Sequence, residues 1–259
     1  MMDKTIGFIG GGRITRIMLE GFKRKGLAFQ NVVVSDINPE VLKLLKEKSS
    51  DIAVAPNNNS LPASGDIVFM ALHPPIVLPV LGEIKSSLKM EAVLISLAPK
   101  ITIAKMSEIL GGFSRIIRMI PNAPSFVNAG YNPVVLGAGI SQPEKRELLS
   151  FFSVLGECPV VKEETLEAYA ILAAMGPTYF WFQWEELENL GAAFGLEREA
   201  ARQALSAMVG GAERIYFYSG LTGPEVIDLI PVKPLKDDEE DIRSRFRQRL
   251  GPLYEKIKP

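Results

Sequence analysis

The chain has 259 residues, of which 47% are hydrophobic and 23% charged, a composition typical of a globular protein with one large domain or two smaller ones. Its 29 basic and 30 acidic residues give a net charge of -1, so we expect no nucleic-acid partner. The chain has a single cysteine, Cys158, so we expect no disulfide and no metal site. The first residues, MMDKTIGFIGGG, contain too short an apolar run for a signal sequence or membrane span, and we therefore expect a cytoplasmic protein.

Between Lys4 and Val161, short β-branched runs alternate with amphipathic stretches, a pattern typical of a parallel sheet covered by helices. Apolar residues at helical spacing in RITRIMLEGFKRKG and PEVLKLLKEKS predict two of these helices. From Glu163 onward no strand pattern remains, and long helical runs rich in Ala, Met and aromatic residues follow. The predicted strands are TIGFIG, NVVVSD, DIVFMAL, AVLISLA and RIIRMI.

Three consecutive glycines separate the first predicted strand from the first predicted helix. In a dinucleotide-binding turn, Gly10 would make the tight turn and Gly12 would let the backbone approach a pyrophosphate. Arg13 and Ile14 would begin the helix whose N–H groups bind that pyrophosphate. The third small residue of the fingerprint falls on Thr15, which departs from Gly or Ala. Glycines also occur in plain turns, but the flanking strand and helix favour cofactor binding.

The second predicted strand ends at Asp36, where a carboxylate can accept hydrogen bonds from the two ribose hydroxyls of a dinucleotide. The cofactor is then NADH or NADPH, and the charge of Asp36 favours NAD because it repels a 2′-phosphate, although Asn38 and Lys43 leave NADP open. Asp36 could also cap the helix that begins near Pro39. These features predict a Rossmann-type domain over residues 1–162.

Several further segments occur in an order and spacing that point to one family. They are ALHPP at 71–75, SLAPKIT at 96–102, RMIPNAP at 118–124 and GPTYFWFQWEEL at 176–187. With the glycine turn, they resemble the pyrroline-5-carboxylate reductase family over roughly residues 5–230. The resemblance implies hydride transfer from NADH or NADPH to a cyclic imine or a similar small keto or imino acid, and proline biosynthesis if the family activity is retained.

Two cofactor-contacting loops are implied by this resemblance. In the family, the loop matched by Leu72, His73 and Pro74 carries a lysine and lies along the cofactor, and the segment through Ala98 borders the nicotinamide. The chain's single histidine, His73, stands in place of that lysine. It could protonate an imine or an alkoxide near neutral pH, although a lone histidine at a strand end more often only contacts cofactor or solvent.

The other candidate catalytic residues are Asn122, Tyr179 and Glu185. Asn122 lies between two prolines and could orient a carboxamide ring or close a proline-rich turn; the family places it near the nicotinamide and substrate. Pro177 suits the first turn of a helix, so the N–H groups of Thr178 and Tyr179 could face a substrate carboxylate. Glu185 matches a glutamate that the family keeps near its substrate, but a solvated helix face is the commoner place for a glutamate.

The chain departs from the family after PEVIDLI at 224–230. There the family has a serine, glycine and threonine loop that binds the imino acid, whereas this chain has PVKPLKDD. Pro231 and Pro234 lack N–H donors, and only Lys233 or Lys236 could bind a carboxylate instead. Two interpretations stay open: a different substrate is bound, or the protein is a nucleotide-binding or regulatory paralogue that has lost catalysis.

The helical runs over 179–194 and 200–218 carry more apolar surface than a domain of about a hundred residues can bury alone. The resemblance implies a two-fold homodimer, or a higher homo-oligomer, in which one chain's nucleotide domain and its partner's helices form the active site. The predicted fold class is therefore α/β, with the Rossmann-type domain followed by an all-α dimerisation and substrate domain over residues 163–259.

Overall fold

A computed structural model describes residues 2–259, which form two compact units. The first runs to Met175 and includes Tyr254–Pro259 at the end of the chain, and the second is Gly176–Leu253. The division falls after the predicted boundary at Lys162. The intervening segment belongs to the first unit because its apolar side chains are buried there, beside residues of the sheet.

The first unit is built on a seven-stranded sheet with the order β3-β2-β1-β4-β5-β6-β8. Neighbouring strands are parallel except for the antiparallel pair β6 and β8. The first six strands follow the 3-2-1-4-5-6 order of dinucleotide-binding folds. The strands are β1 (Met2–Ile9), β2 (Phe29–Asp36), β3 (Ala53–Pro56), β4 (Ile67–Met70), β5 (Val93–Ser96), β6 (Ile116–Met119), β7 (Gly130–Tyr131), β8 (Val134–Leu136) and β9 (Gly156–Glu157).

Helices cover both faces of this sheet and bury β4, β5 and β6 along their whole length. They are α1 (Arg13–Arg24), α2 (Pro39–Lys48), α3 (Ser60–Ala63), α4 (Pro74–Ile84), α5 (Ile103–Ile109), α6 (Gln142–Ser153) and α7 (Leu166–Tyr169). The five predicted strands and two predicted helices are confirmed, and so is the α/β class. Strands β3 and β8 and the small β7–β9 pair were not predicted, because each is only two to four residues long and carries too little periodicity.

The segment before the division is helical but irregular. A 3-10 turn at Glu163–Thr165 leads into α7, which continues as a π-helical turn at Ala170–Ala174. Leu166 and Ala170 lie in a buried cluster with Ile120, which follows β6, and Val135 of β8, and Ile257 packs against it. The π-helical turn, the rarest of the helical forms, frequently marks a functional site.

The second unit is helical, with α8 (Thr178–Ala193), α9 (Arg198–Tyr218), α10 (Gly223–Asp228) and α11 (Glu239–Ile257), whose last residues belong to the first unit. α8 contains no buried residue, and Phe182 and Phe217 are 65% and 69% exposed. Asp237 and Asp238 come just before α11, in a run of turns that leads to Glu239. Among residues 2–259, no helix is long and apolar enough to span a membrane.

Candidate active site

The glycine turn joins β1 to α1, and its glycines differ in backbone conformation and in the space around them. Gly10 has φ +101°, and a Cβ there would lie 2.5 Å from the carbonyl oxygen of Ala71, so only glycine fits. A Cβ on Gly12 would have no atom within 4 Å, which leaves open space at the helix N-terminus. The buried Thr15 hydroxyl donates to the Gly10 carbonyl at 2.6 Å, so the residue that departs from the fingerprint closes the turn.

Asp36 is held against this turn by both of its carboxylate oxygens. Oδ2 accepts a 2.8 Å hydrogen bond from the Gly11 amide, and Oδ1 accepts one of 2.8 Å from the Asn38 amide. The N-cap of α2 is Asn38, whose side chain accepts from the Glu40 amide. Capping of α2 therefore belongs to Asn38, and Asp36 instead fixes the end of β2 beside the glycine turn.

A cavity of about 330 Å³ lies where the strand order reverses between β1 and β4, the place where doubly wound sheets bind their ligands. Gly12, Arg13 and Ile14 line it after β1, and Ala71–Pro74 line it after β4. The structure thus brings together six of the predicted cofactor-binding residues: Gly12, Arg13, Ile14, Leu72, His73 and Pro74. Gly10 and Asp36 lie behind the turn, outside the lining.

The opposite wall of the cavity comes from two other strand ends and from the π-helical turn. Leu97 and Pro99 follow β5, and the predicted Ala98 between them is 2% exposed and does not line the cavity. Ile120 and Pro121 follow β6, and Ala170, Ala174 and Met175 complete the wall. This wall is apolar.

Among the residues that the structure describes, His73 and Arg13 are the titratable ones that line this cavity. His73 is the N-cap residue of α4, where its side chain makes no capping hydrogen bond, and it is exposed. It can therefore reach a group bound in the cavity, in line with either of the roles considered for it.

Asn122 uses its side chain to join neighbouring segments. Its Oδ1 accepts from the Tyr131 amide at 3.2 Å, and its Nδ2 donates to the Ala173 carbonyl at 3.3 Å. The Asn122 backbone amide donates to Asn132 Oδ1 at 3.1 Å, and the residue is 6% exposed. These contacts favour the loop-closing interpretation and fix the π-helical turn beside the end of β6.

Tyr179 and Glu185 lie on α8, in the second unit. The Tyr179 ring is half-buried and packs edge-on against Phe246, with centroids 5.7 Å apart, and burial raises the pKa of its hydroxyl. The Tyr179 amide donates to the Gly176 carbonyl at 3.0 Å, so the prediction that this N–H faces a substrate carboxylate is wrong. Glu185 is exposed on α8.

The segment that replaces the hydroxyl loop carries both lysines considered for carboxylate binding. Lys236 Nζ lies 3.2 Å from Glu239 Oε2 in an exposed ion pair. Both lysines line an apolar groove within the second unit, beside Ile230 and Val232, and Lys236 already pairs with Glu239 there. Lys233 is therefore the better placed of the two for a ligand carboxylate.

Sequence reasoning missed a buried charge cluster behind the apolar wall. Arg118 on β6 is fully buried, and its guanidinium forms ion pairs with Glu163 and with Glu167 of α7. The signal was Arg118, in the interior of the predicted strand RIIRMI; β6 is buried on both faces, so an arginine there demands a buried acid. The acids come about fifty residues later, in a segment that showed no strand pattern.

Comparisons with known proteins agree with this geometry. The family described as NADP oxidoreductase coenzyme F420-dependent matches residues 5–100. The pyrroline-5-carboxylate reductase of Escherichia coli (strain K12) is 29% identical over 216 residues, which are 83% of this chain and 80% of that protein. That of Methanosarcina acetivorans is 25% identical over 231 residues, 89% and 85% of the two chains.

Solved structures extend the likeness to almost the whole chain. A pyrroline-5-carboxylate reductase from Coxiella burnetii is 27% identical, with a TM-score of 0.70 over 98% of this chain and 94% of that one. The fold of Plasmodium falciparum pyrroline carboxylate reductase, solved with NADP bound, matches with a TM-score of 0.76 at 21% identity, over 99% and 95% of the two chains. Fold, cavity and relatives define an NAD(P)-dependent oxidoreductase. The chain is similar to pyrroline-5-carboxylate reductases over most of its length.

Proposed function

We propose that the protein reduces a cyclic imine, or a similar small keto or imino acid, with NADH or NADPH, and that it serves proline biosynthesis if the family substrate is retained. The observation that carries the proposal is the cavity at the β1–β4 reversal, where the glycine turn and the Leu72–Pro74 loop meet. Relatives named as pyrroline-5-carboxylate reductases over most of the chain support it. Nothing among them favours a regulatory protein without catalysis.

The fit of a dinucleotide rests on the glycine turn. The open space at Gly12 would take the pyrophosphate, and the first N–H groups of α1 at Arg13 and Ile14 would bind it. Asp36 would accept hydrogen bonds from the adenosine ribose, which favours NADH over NADPH. Leu72, His73 and Pro74 would lie along the nicotinamide half, and Ala98 would hold the β5 loop from behind the cavity wall.

The chemistry divides between the cofactor and this chain. The bound dinucleotide supplies the hydride that adds to the imine carbon. The nitrogen must also carry a proton, and His73 at the cavity rim is the group we assign to donate it. Asn122 would act by holding the π-helical turn, and Tyr179 and Glu185 stay candidates for contact with the substrate.

The apolar surface of the helical unit supports a homodimer. Trp181 is 46% and Tyr218 75% exposed, and exposed apolar patches of this kind mark protein interfaces. By the family resemblance, the partner's helices would complete the active site of each nucleotide domain. The single cysteine supports a cytoplasmic location.

A panel of cyclic imines, with and without a carboxylate, tests the function by following oxidation of NADH and of NADPH. We expect at least one imine to be reduced, with a lower KM for NADH than for NADPH. A matched reaction with Gly12→Val, which cannot bind the pyrophosphate, should show no turnover. Nucleotide binding without reduction of any imine or keto acid in the panel would overturn the proposal.

A further inference from the structure

The apolar wall of the cofactor cavity is tied together by one carboxylate. Glu167 Oε1 accepts a 2.8 Å hydrogen bond from the Lys100 amide and is ion-paired with Arg118 Nη2. Lys100 follows Pro99 of the wall, and Arg118 lies two residues before Ile120 of the wall. Glu167 precedes the π-helical turn by about one helical turn. The three segments that form the wall therefore meet at Glu167.

The neighbouring acid repeats this arrangement with the first residue of α5. Glu163 Oε1 accepts from the Ile103 amide at 2.8 Å and lies 3.1 Å from Arg118 Nη1. Arg118 thus bridges two carboxylates, one of which binds a backbone amide of the loop between β5 and α5 and the other the first amide of α5. A single guanidinium with a planar, fixed set of donors sets the spacing of both.

The burial of this cluster is greater than charge pairing alone requires. The side chains of Arg118 and Glu167 are 0% and 1% exposed. Within residues 2–259, Arg118 Nε and Glu167 Oε2 have no hydrogen-bond partner, and leaving such groups unsatisfied costs free energy. An apolar pair would fill this space without that cost, so the stability of the fold does not account for the cluster.

The segments that the cluster holds are also unusual. Lys100 has φ +77°, a left-handed conformation that is uncommon in residues other than glycine. The wall on the other side is the π-helical turn Ala170–Ala174, whose hydrogen bonding is rare in helices. One of these backbone irregularities lines the cavity and the other directly follows Pro99 of its wall; such irregularities cluster at sites whose geometry is held for function.

We propose that Glu167, through Arg118, is a positioning residue that sets the apolar wall against the nicotinamide half of the cofactor; this rests on the proposed function. It touches neither cofactor nor substrate. The adenosine half, bound at the glycine turn and Asp36 on the other side of the cavity, does not depend on it. Substitutions of Glu167 should therefore weaken binding of the nicotinamide half of the dinucleotide and leave binding of the adenosine half unchanged.

Glu167→Asp provides the test because it keeps the charge and withdraws the carboxylate by one methylene. Affinities for NADH and for ADP-ribose, which lacks the nicotinamide, are measured in the wild type and the variant. We expect NADH to bind about tenfold more weakly and ADP-ribose to change by less than about twofold. Where an imine substrate is found, kcat should fall while its KM changes little.

The matched control is Glu144→Gln. Glu144 Oε1 lies 2.5 Å from Nη2 of Arg115, which comes just before the first residue of β6. The substitution therefore removes the partner of an arginine at a position away from the cavity. This control should leave the NADH to ADP-ribose affinity ratio at the wild-type value. Should Glu167→Asp not fold, Glu163→Gln removes the more exposed acid of the cluster and should change the same ratio in the same direction by a smaller factor.

An unchanged ratio in folded Glu167→Asp, or equal losses for NADH and ADP-ribose, would overturn the proposal and leave Glu167 a purely structural residue. The binding measurement requires no turnover. Wild-type protein that binds NADH but reduces no imine would thus contradict the proposed function, while the affinity ratio would still decide the role of Glu167.

Discussion

Asp36 Oδ2 accepts a 2.8 Å hydrogen bond from the Gly11 amide, so the carboxylate that ends β2 also holds the glycine turn that ends β1. One side chain therefore couples the shape of the pyrophosphate turn to the position expected to select the ribose. Substitution of Asp36 should alter both the general affinity for dinucleotides and the choice between them.

Asp36→Ser should weaken binding of both cofactors, because the Gly11 amide loses its acceptor, and should narrow or reverse the preference for NADH over NADPH, because the repulsion of the 2′-phosphate is lost. Asp36→Asn is the matched control, since its amide oxygen can still accept from Gly11. It should shift the preference with less loss of overall affinity. The measurement is the dissociation constants for NADH and NADPH. An unchanged ratio of the two constants in Asp36→Ser would show that Asp36 does not discriminate between the ribose of NADH and the phosphorylated ribose of NADPH.

Gly12→Val should abolish binding of both cofactors while the protein remains folded. The backbone at Gly12 has φ −65°, which any residue can adopt, and its Cβ would enter the open space of the cavity. The control is Gly82→Val, on the exposed face of α4, where a Cβ also has no atom within 4 Å. NADH binding by fluorescence should be lost only in Gly12→Val; tight binding by that variant would place the pyrophosphate elsewhere.

Pyrroline-5-carboxylate should be a poor substrate compared with its use by relatives that keep the hydroxyl loop. Loss of a hydrogen bond to a charged group costs on the order of 1.5–3 kcal/mol, or roughly ten- to hundredfold in kcat/KM. Steady-state kinetics beside a loop-containing relative provide the measurement. If proline forms efficiently, Lys233→Ala would show whether this lysine binds the carboxylate.

The free energy of unfolding should decrease in acid, in part because Glu144 becomes protonated. The hydrogen bond from Arg115, with those from Ser141, lowers the pKa of Glu144 from 4.5 to about 2. A carboxyl group with a lowered folded-state pKa stabilises the fold above its unfolded pKa, and this contribution is lost as the pH falls from 4.5 towards 2.

Glu144→Gln should lower the free energy of unfolding at neutral pH by on the order of 1 kcal/mol, a value reduced by solvent screening at a side chain that is one-third exposed. It should also flatten the decrease in acid. Glu108→Gln, which removes a more exposed ion pair with Lys105, is the control and should change stability by less than about 0.5 kcal/mol. Urea unfolding at several pH values would detect the difference, and equal acid slopes in wild type and Glu144→Gln would contradict it.

The protein should form a dimer or larger oligomer through its helical unit. Light scattering at micromolar concentration should give at least twice the chain mass of 28.4 kDa. Phe217→Glu places a charge on an exposed apolar surface of α9 and should shift the equilibrium between monomer and oligomer towards monomer. Glu213→Gln, the control on the same helix, changes a residue that is already polar and should leave this equilibrium unchanged. A monodisperse wild-type monomer would rule out an active site shared between chains.

The sequence predicted the parts of this site that depend on local patterns. Strand ends marked by Gly10, Asp36 and His73 follow β-branched runs, and parallel topology places such ends on one edge of a sheet. Long-range pairing carries no such pattern. The partners of Arg118 lie in a helical segment, and their identity follows only from how that segment packs on the sheet.

Side-chain roles were less predictable than positions. Asn122 follows Pro121 of the cavity wall but does not line the cavity; its amide joins Tyr131 to Ala173, which depends on how three separate segments fold. The resemblance suggested a catalytic role for the same residue, because proximity to a site does not distinguish a residue that contacts substrate from one that shapes the wall.

Hydride transfer can be observed directly with NADH deuterated at the reactive ring carbon. The protein is incubated with the cyclic imine panel, and the products are analysed by mass spectrometry and NMR. The account predicts an amine that carries a single deuterium on the former imine carbon, delivered from one face of the nicotinamide only. NADH that binds but transfers no deuterium to any imine or keto acid in the panel would contradict it.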